Sequence, residues 1–262
     1  MKVFGILIIV GAIYLIYQKA CLKKPGKNKL QIRKNTPHKG TTHGTGGVSL
    51  SYEVSAPEKS ASEDKADELL KEATQKKNND DWNGSINCLR EAYKQIAQSK
   101  ISYPVETYLR LPLYLQQAGH YTESAAEFER LLSNLPAKIA KEFSHISKQE
   151  QNGLIGMEAS TIYDKMRLAS QREKQFTYSV YYQILSNANR AVGLKLQERE
   201  KEIDRFITPE FWAKNIEGLL KKAKSETLAE VLVDKCIIFS QTCTSSGLKT
   251  LDADIKELLK IS

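Results

Sequence analysis

Little in this sequence points to chemistry. Only four cysteines occur (Cys21, Cys88, Cys236 and Cys243), too widely spaced for a zinc or Cys-x-x-Cys pattern and too few for a disulfide framework. That usage agrees with a reducing compartment, and Cys88 and Cys236 read as small buried hydrophobes. Histidine is as scarce. His38 and His43 stand in a polar stretch with no Asp, Glu or Cys at ligand spacing, which argues against a metal site. His120 falls in a turn. His145 lies on a polar helix, where an acid–base pairing with Glu142 competes with simple exposure. The glycines of "GTTHGTGG" have neither the preceding strand nor the following Lys-Ser/Thr of a phosphate loop. Neither Gly-x-Ser-x-Gly nor His-Glu-x-x-His is present. These absences predict no enzyme activity, no metal, no cofactor and no small-molecule substrate.

Acidic residues are also missing from one region. Residues 1–60 hold ten Lys/Arg against two acids, Glu53 and Glu58, whereas the rest of the chain is balanced at 29 of each sign. The whole net charge of +8 therefore sits beside the apolar start "MKVFGILIIVGAIYLIYQKACLKKPGKNK". Val3 to Tyr17 carries no charge. As a helix it would span roughly 22 Å, short of a ~30 Å hydrocarbon core. Phe4, Ile6, Leu7, Ile8, Ile9, Val10, Ile13, Leu15 and Ile16 favour insertion by about 3–5 kcal/mol together. Lys2 and Lys19 can snorkel at the two ends, and a slightly thinned bilayer takes up the mismatch.

A membrane anchor over residues 1–23 is the preferred reading. A cleaved signal peptide competes, although Gln18 and Ala20 make a poor cleavage site. Lys19, Lys23, Lys24, Lys27, Lys29, Arg33 and Lys34 follow the span, so the positive-inside rule predicts an outward amino terminus with the bulk in the cytoplasm. Each such cation near an anionic leaflet gains about 1 kcal/mol. Membrane lipid thus accounts for the charge, and no nucleic-acid partner is expected. The one further basic cluster, Lys221, Lys222 and Lys224, sits near a helix C-terminus, where the dipole favours cations.

Residues 24–60 are rich in Gly, Thr, Ser, Lys and Pro without helical period, and they read as a flexible linker. From Ser60 onward the pattern is helical, and the expected class is all-α. Ser60 with Glu63 forms a capping-box pattern ahead of Leu69, Leu70 and Ala73. Thr208 and Pro209 open another helix, with Phe211, Trp212, Ile216, Leu219 and Leu220 at helical spacing. Ser225 is a candidate cap for the next. Only "EVLVDKCIIF" could pass for a strand, and one strand has nothing to pair with. Residues 137–262 read as further long helices packing on what precedes them. Tyr178, Val180, Tyr181, Ile184, Leu185 and Ala188 form an apolar stripe there, which reads as core.

Two stretches align without gaps. "NNDDWNGSINCLREAYKQI" matches "QAGHYTESAAEFERLLSNL", with Trp82 on Tyr121, Ser85 on Ser124, Leu89 on Phe128 and Ile96 on Leu135. Each follows a candidate helix, residues 63–77 and 104–118, and so reads as the turn and second helix of an αα-hairpin. Gly119 suits the positive φ that ends a helix, and Asn78 or Asn79 would serve in the first unit. The aromatic fills the wedge between diverging helices, and the small residues permit close approach. Pro104 and Pro112 suggest a longer, irregular first helix in the second unit.

This grammar resembles the tetratricopeptide repeat, carried best by Gly119, Tyr121, Ser124, Phe128 and Pro136. The first unit lacks the Gly, and the spacing is 39 residues from Trp82 to Tyr121 rather than 34. The resemblance is carried by about residues 63–136 and marks residues 61–136 as two hairpins. It implies a protein or peptide partner held by polar side chains on the first helices: Lys71, Gln75, Arg110, Tyr114 and Gln117. The resulting expectation is a membrane-tethered adaptor or scaffold. The competing one is a structural or regulatory membrane component, an assembly subunit or an exclusion or immunity factor, acting through its C-terminal helices.

Overall fold

A computed structural model describes residues 60–99 and 101–261. The expected anchor, its basic flank and the linker as far as residue 59 lie outside the described residues. Within them the chain is all-α: ten α-helices, one short 3-10 turn and no strand. No helix among the described residues is long and apolar enough to cross a membrane.

The helices are α1 (Ala61–Asn78), α2 (Trp82–Gln98), α3 (Val105–Gln117), α4 (Tyr121–Glu142) and α5 (Lys148–Arg172). They continue as α6 (Phe176–Leu196), α7 (Glu200–Ile203), α8 (Pro209–Lys222), α9 (Ala229–Ser240) and α10 (Ser245–Leu259). Each element packs on its neighbours in order, α1 on α2 through α5 on α6, and α3 also meets α5. Helix α6 then becomes the central post, with α7, α8, α9 and α10 all against it.

Local chemistry explains the ends. The Glu63 carboxylate accepts from the Ser60 N–H at 2.9 Å, the expected capping contact. Thr208 accepts from the Phe211 N–H at 3.1 Å, and Pro209 occupies the first turn. Ser225 differs from expectation. Its hydroxyl turns back to the Ala223 carbonyl, a 3-10 turn follows at Glu226–Leu228, and α9 begins only at Ala229. The strand-like "EVLVDKCIIF" lies in α9, where Leu232, Cys236 and Phe239 recur at helical spacing and are buried.

Three hairpins share one turn. Asp80, Gly119 and Lys174 take positive φ of 59°, 86° and 60°. The following N–H groups of Asp81, His120 and Gln175 reach back to the carbonyls of Lys76, Leu115 and Ser170 at 2.8–2.9 Å, closing a Schellman-type turn. An aromatic then opens the second helix (Trp82, Tyr121, Phe176), and a fully buried serine follows three residues on (Ser85, Ser124, Ser179). Ser85 donates to the Ala73 carbonyl at 2.6 Å and Ser124 to the Pro112 carbonyl at 2.8 Å. Ser179 sits 3.5 Å from the equivalent Arg167 carbonyl, its shorter bond of 3.1 Å going to Gln175. In the first unit the left-handed residue is Asp80. Asn79 keeps a negative φ of −98°, so the expected Asn is displaced by its neighbour. Asp tolerates that conformation through its short polar side chain.

Helix α3 is shorter than expected, 13 residues against 18 in α1, because Pro104 stands at its N-cap instead of inside it. Pro112 does lie within α3 and, lacking an N–H, leaves a gap in the hydrogen-bond ladder. The buried Tyr93 hydroxyl of α2 fills that gap. It donates to the Thr107 and Tyr108 carbonyls at 2.6 and 3.1 Å and accepts from the Leu111 N–H at 3.3 Å. Pro136, expected near a repeat boundary, lies inside the 22-residue α4. The boundary at residue 136 therefore falls in mid-helix.

The core runs in successive groups. Leu89, Leu111 and Leu115 join α2 to α3, and Phe128, Leu135, Ile139 and Ile162 join α4 to α5. Val180, Ile184, Trp212, Ile216, Leu232 and Ile255 fill the C-terminal part. The apolar stripe of α6 is core, with Tyr178 at its edge. Cys88, Cys236 and Cys243 are buried free thiols, and burial pushes each upward in pKa.

Candidate functional site

The five side chains expected to grip a partner divide in two. Lys71 and Gln75, on successive turns of α1, and Gln117 at the end of α3 are exposed. Arg110 and Tyr114 are drawn together and used internally. The Arg110 guanidinium donates from Nη2 to the Leu70 carbonyl and to Thr74 Oγ1, both at 2.8 Å, tying α3 to α1. Its Cζ also lies 5.7 Å from the centre of the Tyr114 ring, with Lys77 Nζ at 5.5 Å. Tyr114 is itself buried and meets Trp82 edge-on at 6.1 Å. Its ring packs the hairpin instead of facing outward.

Gln116, beside the expected Gln117, is the buried one. Its amide donates to Glu173 at 2.8 Å and accepts from Arg172 at 3.0 Å, linking α3 to the end of α5. Tyr121 continues that link, its hydroxyl donating to Gln175 Oε1 at 2.7 Å. The aromatic that opens α4 thus reaches the turn of the next hairpin as well as packing its own.

A half-buried ionic cluster lies where α3, α4 and α5 meet. Lys138 Nζ stands 2.9 Å from Glu142 and 3.5 Å from Glu158, and Ser102 donates to Glu142 at 2.6 Å. Glu158 Oε2 is buried and accepts no hydrogen bond. Burial pushes the Glu158 carboxyl up, against the pull of Lys138. The Tyr108 phenol beside them rises to about 12, from burial first and then from Glu142. Glu142 is therefore engaged by Lys138 and Ser102, while His145 lies beside Phe143, the ring centres 6.3 Å apart. Among the described residues no group of His, Cys, Asp and Glu could hold a metal ion.

Two surface cavities bring further polar groups together. One, of about 440 Å³, lies between the turn before α6 and the end of α8. There Lys222 and Lys224 of the basic stretch meet Lys174, with Lys222 Nζ 5.8 Å from the Phe176 ring centre. The other, of about 320 Å³, lies between α5 and α6. Its Asn187 and Arg190 are not evident from the sequence, because polar residues beside an apolar stripe look like an ordinary solvated edge, and Phe206 is brought to them only by the fold. The one available signal is Asn187, a polar residue directly before Ala188 of that stripe. No family profile matches the chain, and no curated protein or solved structure is similar to it.

Proposed function

We propose that the protein is a membrane-tethered adaptor that holds a protein or peptide partner on the first helices of its hairpins. The observation that carries this reading is that α3 is tied to α1 through Arg110 and packs on α5, with Lys71, Gln75 and Gln117 exposed and unspent on packing. A partner lying across α1 and α3 would meet donors and amides already backed by a rigid framework. The resemblance of the first two hairpins to tetratricopeptide repeats supports the same mode. The apolar start and basic flank would tether the molecule and raise the effective concentration of partners on the same bilayer.

Proximity labelling from the full chain tests this. The expected result is a set of neighbours missing from a control carrying only residues 1–60, and reduced when Lys71, Gln75 and Gln117 are together replaced by Glu. Identical labelling by the control and the full chain would remove the adaptor.

A second reading is that of a structural or regulatory membrane component acting through its C-terminal helices. It is favoured by Val231 and Ile238 of α9, which are 42% and 60% exposed on one face of the helix, about two turns apart. Val231→Ser with Ile238→Ser would then abolish the neighbour set that the α1–α3 variant leaves intact.

A further inference from the structure

We propose that the cavity of about 320 Å³ between α5 and α6 binds a carboxylate group, gripped by the Arg190 guanidinium and the Asn187 side-chain amide. The site lies on the third hairpin and is independent of the α1–α3 surface.

Elimination identifies the two groups. Ser186 donates to the Ser160 carbonyl at 2.8 Å, which leaves the Ser160 hydroxyl to donate to Ser186 Oγ at 3.3 Å. Thr161 is spent on the Met157 carbonyl at 3.3 Å. Asp164 accepts from Arg167 through Oδ1 at 2.7 and 3.1 Å and from Lys165 through Oδ2 at 3.1 Å. Burial alone would raise the Asp164 carboxyl, but Arg167 and Lys165 outweigh it and hold it below its usual range. It stays anionic, and Lys165 is committed to it.

Asn187 is only 8% exposed. Its Oδ1 accepts from Gln183 at 3.3 Å, whereas its Nδ2 is shut off from solvent without a partner. A buried donor left in that state costs about 1–3 kcal/mol, which a ligand acceptor would recover once the Asn187 amide turns toward the cavity. Arg190 is exposed and free of ion pairs, its Cζ 4.7 Å from the Phe206 ring centre. Phe206 is held edge-on by Phe211, ring centres 5.2 Å apart, so the guanidinium rests on a fixed platform. Three residues apart on α6, Asn187 and Arg190 share a face.

Asn187 Nδ2 and the Arg190 guanidinium only donate, and a guanidinium fork matches a carboxylate in two parallel hydrogen bonds. One unspent cation balances one carboxylate. The volume lies at the lower end of the ~300–1,000 Å³ range of ligand pockets, which suits a short acid, an acidic side chain or a chain terminus.

Calorimetric titration of the detergent-solubilised full-length chain tests this with four probes: succinate, a hexaglutamate peptide, its amidated hexaglutamine counterpart and inorganic phosphate. Saturable binding of succinate or hexaglutamate is expected, with a shift of the Asn187 side-chain amide resonance. Arg190→Gln, a change at an exposed position, should weaken it at least tenfold, and Asn187→Ser should weaken it too. Succinate binding as well as the peptide would identify a small acid as the ligand; binding of hexaglutamate alone would identify an acidic segment. The proposal falls if neither carboxylate saturates, if phosphate or hexaglutamine binds as tightly, or if Arg190→Gln leaves the affinity unchanged.

Discussion

In the α1–α2 and α3–α4 hairpins a serine hydroxyl pins the second helix to a carbonyl of the first, whereas α5 and α6 touch backbone to backbone. A Cβ on Gly156 would stand 2.8 Å from the Asn189 carbonyl and 2.9 Å from the Gly193 Cα. One on Gly193 would stand 2.9 Å from the Gly153 carbonyl. Ser179 at the equivalent position makes the longest of the three contacts to the first helix. The same turn can therefore launch hairpins of different closeness, and the residues far from the turn decide which. Where α5 and α6 meet most tightly, their polar side chains are left beside the seam, and the Asn187 cavity lies there.

The largest expected effect comes from abolishing the close approach. Gly156→Ala puts a methyl against backbone that cannot swing aside, and chemical denaturation should register a loss of about 1–3 kcal/mol or more. Gly153→Ala is the contrast, because its nearest obstacle at 2.8 Å is the Gln197 side chain, with the Gly193 carbonyl farther off at 3.3 Å. A similar cost for both would mean that the seam is looser than it looks.

Next is Tyr93→Phe in the region of the first two hairpins. It removes the hydroxyl that repairs the Pro112 gap, and about 1–3 kcal/mol should be lost. A neutral result would show that water can enter α3. Ser85→Ala and Ser124→Ala should each cost about 1 kcal/mol, and Ser179→Ala distinctly less if the third hairpin does not lean on its serine.

The turns sharpen the same comparison. Lys174→Gly should raise stability by about 1 kcal/mol, since a left-handed Lys is strained and Gly is not. Gly119→Ala should lower it by a similar amount. Equal and opposite shifts in thermal midpoint would establish that the two turns are the same device.

The smallest effect concerns the cluster joining α4 to α5. With its carboxyl raised by burial, Glu158 keeps its proton in the folded chain at a pH where the unfolded chain has lost it. Its contribution is complete below the ordinary glutamate value of about 4.3 and disappears as the pH climbs through the raised folded value. Glu158→Gln should flatten that decline in a pH series of urea midpoints.

Helix punctuation was legible where a side chain acts on its own backbone. Ser60, Glu63, Thr208 and Pro209 behave as their types require, because capping is decided within four residues. The third hairpin was not legible. Its left-handed residue is Lys174 instead of Gly or Asn, and longer helices place Ser179 at 55 residues from Ser124 instead of 39. Of the expected grip, Lys71, Gln75 and Gln117 were placed on the surface. Tyr114 went inside and Arg110 was drawn onto α1, because whether a long polar side chain faces solvent depends on which helix packs beside it.

The amino-acid order by itself determined an all-α chain beyond residue 60, the starts of its capped helices and the kinship of its first two turns. All of these rest on periodicity and short-range hydrogen bonding. Only the tertiary structure decided that Tyr93 mends α3, that two glycine-bearing helices close to contact, and that Asn187 is left with an unpaired amide nitrogen beside Arg190. Those outcomes depend on partners 14 or more residues away, or on the absence of one, and composition and spacing are blind to both.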